Sequence, residues 1–499
     1  MQKINSCVTA AVVLVAGASF ALADPPQVGN QQDKDRLATV RWPTTRQKLF
    51  TLPESVWMGS LAFSPDGRTL CIQNCLPGKK YQMVVNGKPG RVYDGCGKME
   101  FSANSSGWAY IALDGGRYLW VINGVEQKRY AGLYHVAFSA DGKQFSYTAA
   151  TDKHAVLFHA GKEIKQEGLP FALAISPDGK RVAHHVGNGG KHTVMVDGVI
   201  GKPYDGILID GMVFSPDSKR FAYTAKFRNR RFAVLDGKVS DVTYRGISVP
   251  AFSGDSQTMA YLAWGNKGRV RSVINGVEGK LYKSAMDPVF SLTGSTYAYC
   301  SQGLDGIARV VVDGKEGPEL NSYTKSSLIL SADGKRSAYL GAIRPNLYAY
   351  IDGKRYEDRS IGPRVGMVFS PDSKRIAFVG RSKSGHSVLV VDGKKMFAFN
   401  SIRSPVFSPD SKRVACIAMS NDDHYVWVDG LLGSRILRLP KQAHPVFTGP
   451  DTVEILECRG RTYYRTRISL GRQLKLSDDE WPEAESHEQP TDAADGGRN

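Results

Sequence analysis

An apolar residue, most often phenylalanine, recurs along this chain at intervals of 37 to 40 residues. A constant period in this range is the signature of a repeat architecture, in which each repeat forms one supersecondary unit and stacks on its neighbours. The repeat restricts the fold more than any other feature of the sequence. The eleven equivalent positions are Phe63, Phe101, Phe138, Ile175, Phe214, Phe252, Phe290, Leu330, Phe369, Phe407 and Phe447.

Each repeat carries two turn signals. Five of the eleven apolar markers are followed by Ser-Pro-Asp-Gly or Ser-Pro-Asp-Ser, as at 64–67 and 215–218. Proline presets φ for the second residue of a turn, so a first strand ends there and the chain reverses. A second strand follows, in which a small residue precedes an aromatic, as in Ala109-Tyr110. A third strand ends in Asn-Gly or Asp-Gly, as at Asn86-Gly87, which is the strongest short hairpin signal.

Four antiparallel strands in about 38 residues predict the blade of a β-propeller. The expected fold class is all-β, with about eleven four-stranded repeats over residues 46–472. Because the spacing is uniform, the repeats can form one large ring or two tandem propellers. The last unit, Pro445 to Leu470, is short of a strand, and we expect Arg46 to Met58 to supply it and close the ring.

The repeat resembles the TolB-like and related WD-like propeller family. Units of that family carry Phe/Trp-Ser-Pro-Asp-Gly-Lys followed by an Ala-aromatic strand, and the resemblance covers about Phe50 to Leu470. It implies a propeller fold and says little about function. The chain departs from the family in three ways, because it shows no additional N-terminal α/β domain, has eleven markers where TolB has six blades, and lacks the Trp-Asp dipeptide of WD repeats.

The two ends of the chain differ from the repeat. Residues 1–23 combine Lys3, an apolar run from Cys7 to Phe20 and a small-x-small pattern at 21–23, which predicts a secretory signal peptide. Residues 24–45 are predicted to form a polar arm, and residues 473–499 are predicted to form an acidic disordered tail. We therefore expect an exported protein, periplasmic or extracellular, with no transmembrane segment after cleavage.

Cysteine is too sparse for a disulfide scaffold. The one local cluster is Cys71, Cys75 and Cys96, and a single disulfide within it is as well supported as none. No Cys-x-x-Cys pair exists, so a zinc ribbon is not indicated. His424 follows Asp422 and Asp423, but the spacing supplies no further ligands. We predict no metal and no cofactor.

The loops between the second and third strands are predicted to share one face of the ring, and they are rich in cations. With a formal net charge of +17, such a face favours anionic partners. The candidate partners are an anionic polymer, such as an acidic polysaccharide, or an envelope protein, and export makes nucleic acid a poor one. The candidate binding residues are Lys226, Arg228, Arg230, Arg231, Lys267, Arg269, Arg381, Lys383 and His386.

A plain solvated surface is the competing interpretation of these cations. The opposite face is basic too, since Lys-Arg pairs such as Lys180-Arg181 and Lys374-Arg375 follow the Ser-Pro-Asp turns. His184 and Cys416 occupy the position that is aromatic in most repeats, so we expect both to be packed in the core.

Motifs of serine hydrolases, zinc proteases and phosphate-binding loops are absent from the sequence. A site at the channel mouth would leave no local motif, and Asp287, Arg364, Arg403 and His444 precede inner strands. The leading hypothesis is therefore a non-enzymatic binding or scaffold propeller. The alternatives are a hydrolase or lyase acting on acidic glycan and a protein-interaction hub with an exposed apolar patch.

Overall fold

The computed structural model describes residues 38–52, 61–166, 168–356, 366–382, 385–420, 423–440 and 444–471. The predicted signal peptide and the predicted acidic tail, 473–499, lie outside these ranges. The described residues form eleven antiparallel sheets of four strands and no α-helix. The sheets follow one another around a single ring, so the fold is a β-propeller of eleven blades and not two tandem rings. No helix in these ranges is long and apolar enough to span a membrane.

Blades are numbered 1 to 11 in chain order, and their strands are lettered a to d from the channel outward. Blades 1 to 4 comprise Leu61–Phe63, Leu70–Leu76, Lys80–Val85 and Lys88–Tyr93; Gly95–Phe101, Trp108–Asp114, Arg117–Ile122 and Val125–Glu126; Gly132–Phe138, Phe145–Ala150, Ala155–His159 and Lys162–Gln166; and Leu169–Ile175, Val182–Asn188, Lys191–Val196 and Val199–Ile200.

In blades 5 to 8 strand a is divided into two short pieces that both pair with strand b. These blades comprise Gly206–Ile207, Val213–Phe214, Phe221–Phe227, Arg230–Leu235 and Lys238–Val239; Gly246–Ile247, Ala251–Phe252, Met259–Trp264, Val270–Ile274 and Val277–Glu278; Ser284–Ala285, Val289–Phe290, Tyr297–Gln302, Ala308–Val312 and Lys315–Glu316; and Ser322–Tyr323, Ile329–Leu330, Ser337–Ile343, Asn346–Ile351 and Lys354–Arg355.

The last three blades complete the ring. Blades 9 and 10 comprise Val368–Phe369, Ile376–Arg381, Ser387–Val391 and Lys394–Phe399; and Ser401–Phe407, Val414–Ser420, Asp423–Val428 and Leu431–Ile436. Blade 11 comprises Val446–Gly449, Thr452–Arg459 and Thr462–Ser469, with Thr44–Thr51 as its strand d.

The predicted turns are observed, and they divide the ring into two faces. In blade 4 the Ser176 hydroxyl donates to the Asp178 carboxylate at 2.6 Å and accepts the Arg181 backbone N–H at 2.9 Å, which closes the a–b turn. Asp197 has a φ of 52°, and Gly198 one of 84°, in the c–d hairpin. We call the side carrying these two turns the turn face. The b–c hairpins and the d–a connections lie on the opposite side, the loop face.

The core lies between neighbouring blades, where small residues of one sheet meet large residues of the next. Between blades 4 and 5, for example, Ala183 and Val194 pack against Tyr223 and Phe232. His184 and Cys416 are buried, as predicted. Other blades place two aromatic rings together here, as Tyr130 and Tyr147 do in blade 3, whereas His184 Nε2 lies 2.6 Å from Gln166 Oε1.

A repeated arginine connects neighbouring blades on the turn face. Arg375 of blade 9 bonds the Asp392 carboxylate of its own blade at 2.8 Å, and its Nη1 donates to the Lys412 carbonyl of blade 10 at 2.6 Å. Its guanidinium also lies 5.3 Å from the centroid of the Phe407 ring. The same arrangement recurs at Arg181, Arg220 and Arg336.

The N-terminal strand closes the ring. Thr44–Thr51 pairs antiparallel with Thr462–Ser469, as expected from the missing fourth strand. Arg46 forms an ion pair of 3.1 Å with the buried Glu457. Before this strand, Ala38–Thr39 pairs in parallel with Leu431 and Leu432 of blade 10. The predicted boundary at residue 46 therefore falls inside a strand, and 38–45 of the predicted arm lie against the ring.

The six described cysteines are all free thiols, so the disulfide considered among Cys71, Cys75 and Cys96 is not formed. Cys71 is packed between blades 1 and 2, and burial raises the pKa of its thiol to about 12. Cys75 is exposed to solvent. Cys96 is half-buried and packs against the same cluster as Cys71, so only Cys75 lies apart in solvent.

Candidate functional site

The b–c hairpin of blade 5 concentrates four of the predicted cations on the loop face. Its strands, Phe221–Phe227 and Arg230–Leu235, are joined by a tight turn in which Arg228 has a φ of 52°. Lys226, Arg228, Arg230 and Arg231 are all exposed at its tip. Short hairpins on a rigid sheet hold such side chains in fixed relative positions.

Two of these cations stand directly opposite each other. Lys226 and Arg231 form a cross-strand pair, so their side chains leave the sheet on the same side. Like charges in this arrangement destabilise a sheet. A bound anion between them would relieve the repulsion.

One carboxylate and one aromatic ring complete the tip. Asp205, in the connection from blade 4, accepts a bond of 2.6 Å from Lys191 Nζ and another from the Arg228 backbone N–H. The bond from Lys191 is the main reason that the pKa of Asp205 is lowered. The exposed Phe227 ring lies between two cations, 5.9 Å from Lys191 Nζ and 5.5 Å from the Arg228 guanidinium.

Blade 6 continues the cationic surface. Its b–c connection is a single 3-10 turn, Asn266–Gly268, in which Lys267 has a φ of 61°. Lys267 and Arg269 are exposed there. Within the described part of the chain, no carboxylate lies within 4 Å of the side-chain nitrogens of these two residues or of Lys226, Arg230 and Arg231. These five cations are therefore free to meet an external anion.

The remaining predicted binding residues are elsewhere. Arg381 and His386 belong to the b–c connection of blade 9, four blades from blade 5, and Lys383 lies outside the described residues. Arg381 Nε donates to the Gly385 carbonyl of its own loop at 3.0 Å. The structure thus gathers six of the nine candidates on blades 5 and 6 and separates the other described ones from them.

On the turn face the basic pairs have carboxylate partners within their own blade. In blade 4 its two cations, Lys180 and Arg181, are matched by two carboxylates, Asp178 and Asp197. Arg181 bonds Asp197 at 2.7 Å. The hydroxyl of the turn serine is the first cause of a lowered pKa at Asp178, which keeps that group ionised. The arginines of these pairs therefore have a structural role, as at Arg181, Arg336 and Arg375, which favours the loop face as the binding surface.

A second group of side chains lies beside this tip on the channel wall, and sequence reasoning missed it. The Phe171 ring of blade 4 stacks on His185, with centroids 5.2 Å apart, and meets the His192 ring edge-on at 5.5 Å. His185 Nε2 is 2.8 Å from His192 Nδ1. Burial, together with the neighbouring histidines, lowers the pKa of His185 to about 4. Two patterns in the sequence could have indicated this group. They are Phe227 among the cations of 226–231 and the pair Pro170-Phe171 in strand a of blade 4.

The residues proposed for a channel-mouth active site do not converge. Asp287 and Arg403 are exposed on blades 7 and 10, and Arg364 lies outside the described residues. The His444 ring packs against the Gly67 turn of blade 1, 3.2 Å from where a β-carbon would lie. No cluster of three or more potential metal ligands occurs among the residues that the structure describes.

Comparisons with known proteins add no function. No family model matches the chain, and no curated protein matches it. A solved structure described as a eukaryotic initiation factor is 14% identical, covering 78% of this chain and 96% of that one with a TM-score of 0.40. The β-propeller domain of the Trilobed protease from Pyrococcus furiosus is 13% identical, covering 53% and 94%, with a TM-score of 0.27. The assignment to the propeller class rests on the strand order described above.

Proposed function

We propose that this protein is a binding propeller whose loop face, at the tips of blades 5 and 6, holds an anionic polymer. The observation that carries the proposal is the cross-strand pair of Lys226 and Arg231, two like charges held opposite each other, with no carboxylate of the described residues within 4 Å of their side-chain nitrogens. The N-terminal sequence pattern supports action outside the cytoplasm, in the cell envelope or beyond it. Ligands of such a surface are envelope polymers or proteins of negative charge.

The test is to measure, by calorimetry at several salt concentrations, the affinity of the purified protein for sodium polygalacturonate. The double variant Lys226→Ala/Arg231→Ala removes both members of the pair. Two exposed contacts of this kind together contribute about 1.4 kcal/mol, so we expect roughly tenfold weaker binding. The dependence of affinity on salt should also become shallower, because fewer ions are released.

The matched control is Lys335→Ala/Lys374→Ala, which removes the same charge from two exposed turn-face lysines. It should bind as the wild type does. Equal losses in the two variants would mean that only net charge matters, and the proposed surface would be wrong. Shortening of the polymer during the assay would instead indicate an enzyme acting on acidic glycan.

A further inference from the structure

Aromatic side chains form an arc on the loop-face half of four successive blades. Among the described residues, only four aromatic side chains expose 36% or more of their surface: Tyr118 (39%), Tyr134 (39%), Phe171 (36%) and Phe227 (45%). They belong to blades 2, 3, 4 and 5, one to each blade. Exposed aromatics collected in this way mark a contact surface and not a random scatter.

Two of these rings, Tyr134 and Phe171, lie on strand a, which lines the channel, where its pairing with strand b is irregular. In blade 3 the pairing of strands a and b is interrupted between Leu133 and Val136, at Tyr134. In blade 4 the same interruption falls between Pro170 and Ala172, at Phe171. A bulge redirects the extra side chain out of the sheet, and such bulges are common beside functional sites.

The apolar surface continues into blade 5. There the break between Gly206–Ile207 and Val213–Phe214 exposes Leu208 and Ile209. Strand a of blade 4 comes within 8 Å of strand a in blade 3 and of the Val213–Phe214 piece of strand a in blade 5, so the three strands line the channel side by side. The His192 ring links this wall to the tip, since it touches Phe171 and follows Lys191, which faces Phe227.

Charge is distributed unevenly along the channel wall formed by strand a of blades 3 to 5. Residues 132–138, 169–175 and 206–214, which form strand a in blades 3 to 5, contain no lysine or arginine. The exposed Asp210 adds a negative charge there. The cations lie at the blade tips beside this wall, with Lys153 and Lys191 at the tips of blades 3 and 4 and the largest group at the tips of blades 5 and 6. The predicted export of the chain makes a nucleic acid the poorer candidate for this surface.

We infer that the ligand is an extended acidic polysaccharide, which stacks the apolar faces of its sugar rings on Tyr134, Phe171 and Phe227 and places carboxylates among the cations of the blade 5 hairpin. The inference rests on the proposed function and names the ligand class of the same site. A pyranose ring presents C–H groups to an aromatic face, and an acidic sugar adds a charge at intervals. An arc of aromatic rings and aliphatic side chains beside a cluster of cations matches that chemistry.

The experiment compares three probes of similar length. Polygalacturonate has sugar rings and carboxylates, polyglutamate has carboxylates without rings, and single-stranded poly-dT tests a nucleic acid. The variants are Phe227→Ala and Tyr134→Ala, and Leu208→Ser serves if Tyr134→Ala fails to fold. Val199→Ala and Val277→Ala, on the exposed outer rim, are the matched controls. Thermal unfolding confirms that each variant is folded.

We expect polygalacturonate to bind more tightly than polyglutamate, and each aromatic variant to bind it about fivefold more weakly. The dependence on salt should be unchanged in these variants, because stacking is not screened. If the aromatic variants bind as the wild type does while Lys226→Ala/Arg231→Ala does not, charge alone holds the ligand, and this inference is wrong while the proposed function stands. Tighter binding of poly-dT through Tyr134 would also overturn it, and no binding of any probe would refute both.

Discussion

The buried His184 makes the free energy of unfolding depend on pH in a way that can be calculated. In most blades its position holds an aromatic that meets a tyrosine from the preceding connection, as Tyr130 meets Tyr147, with hydroxyls 3.2 Å apart. Here Gln166 and His184 replace that pair. Burial lowers the pKa of His184 from 6.5 to about 4, because the charged imidazolium cannot be solvated.

The unfolded chain therefore binds a proton more readily than the folded chain. Stability associated with neutral His184 is complete above pH 6.5 and is lost as the pH falls toward 4. With these two pKa values, protonation of the unfolded state costs the native protein about 2 kcal/mol at pH 5 and roughly 3 kcal/mol below pH 4. A double variant, Gln166→Tyr/His184→Tyr, restores the usual pair and removes the titrating group.

The assay is urea unfolding of both proteins at pH 7.5 and pH 5.0, followed by tryptophan fluorescence. Between these pH values the wild type should lose about 2 kcal/mol more than the double variant. A packing penalty from the larger side chains cancels, since it is the same at both pH values. His154→Gln controls for removal of a histidine that is only half-buried. Equal losses in the wild type and the double variant would refute the reasoning.

Three further predictions concern a contact between blades, the closure of the ring and the exposed thiol of Cys75. Replacing Arg375 with Gln removes the contacts with blade 10 and should lower stability by about 1–2 kcal/mol in urea unfolding, whereas Lys374→Gln should not. Leu49→Asp should open the closure, visible as a larger radius of gyration in solution scattering and as faster proteolysis, while Lys48→Asp should leave both unchanged. Of the six described cysteines, only Cys75 should react quickly with a maleimide under native conditions, and Cys75→Ser should abolish that labelling.

The blade could be predicted from the sequence because its signals are local. A turn that needs proline and aspartate, and a hairpin that needs positive φ at Asn86 and Gly87, are both written in adjacent residues. The number of rings could not be predicted, since the same blade builds rings of different size and the uniform spacing contains no boundary. The closure by Thr44–Thr51 was predictable in outline, because blade 11 lacked a strand.

The candidate site was predictable only in part. The cations of the blade 5 hairpin lie within six residues of sequence and therefore share one hairpin tip. Arg381 shares their loop type but not their location, because position around the ring depends on blade number. The basic pairs of the turn face looked like competing surface charge, since no local pattern shows that Arg375 reaches a carbonyl of the next blade.

The closure of the ring by Thr44–Thr51 also determines the order in which blades can be completed during synthesis. Arg46 Nε and the Thr466 hydroxyl, which meet at 3.4 Å, are 420 residues apart. The strand Thr44–Thr51 leaves the ribosome early and therefore has no partner until almost the whole chain has been made. Blades 1 to 10 can stack as they appear, but a chain that stops early retains an unpaired strand at one end and an open blade at the other. Such exposed edges invite proteolysis and aggregation, so the closing blade distinguishes complete molecules from interrupted ones.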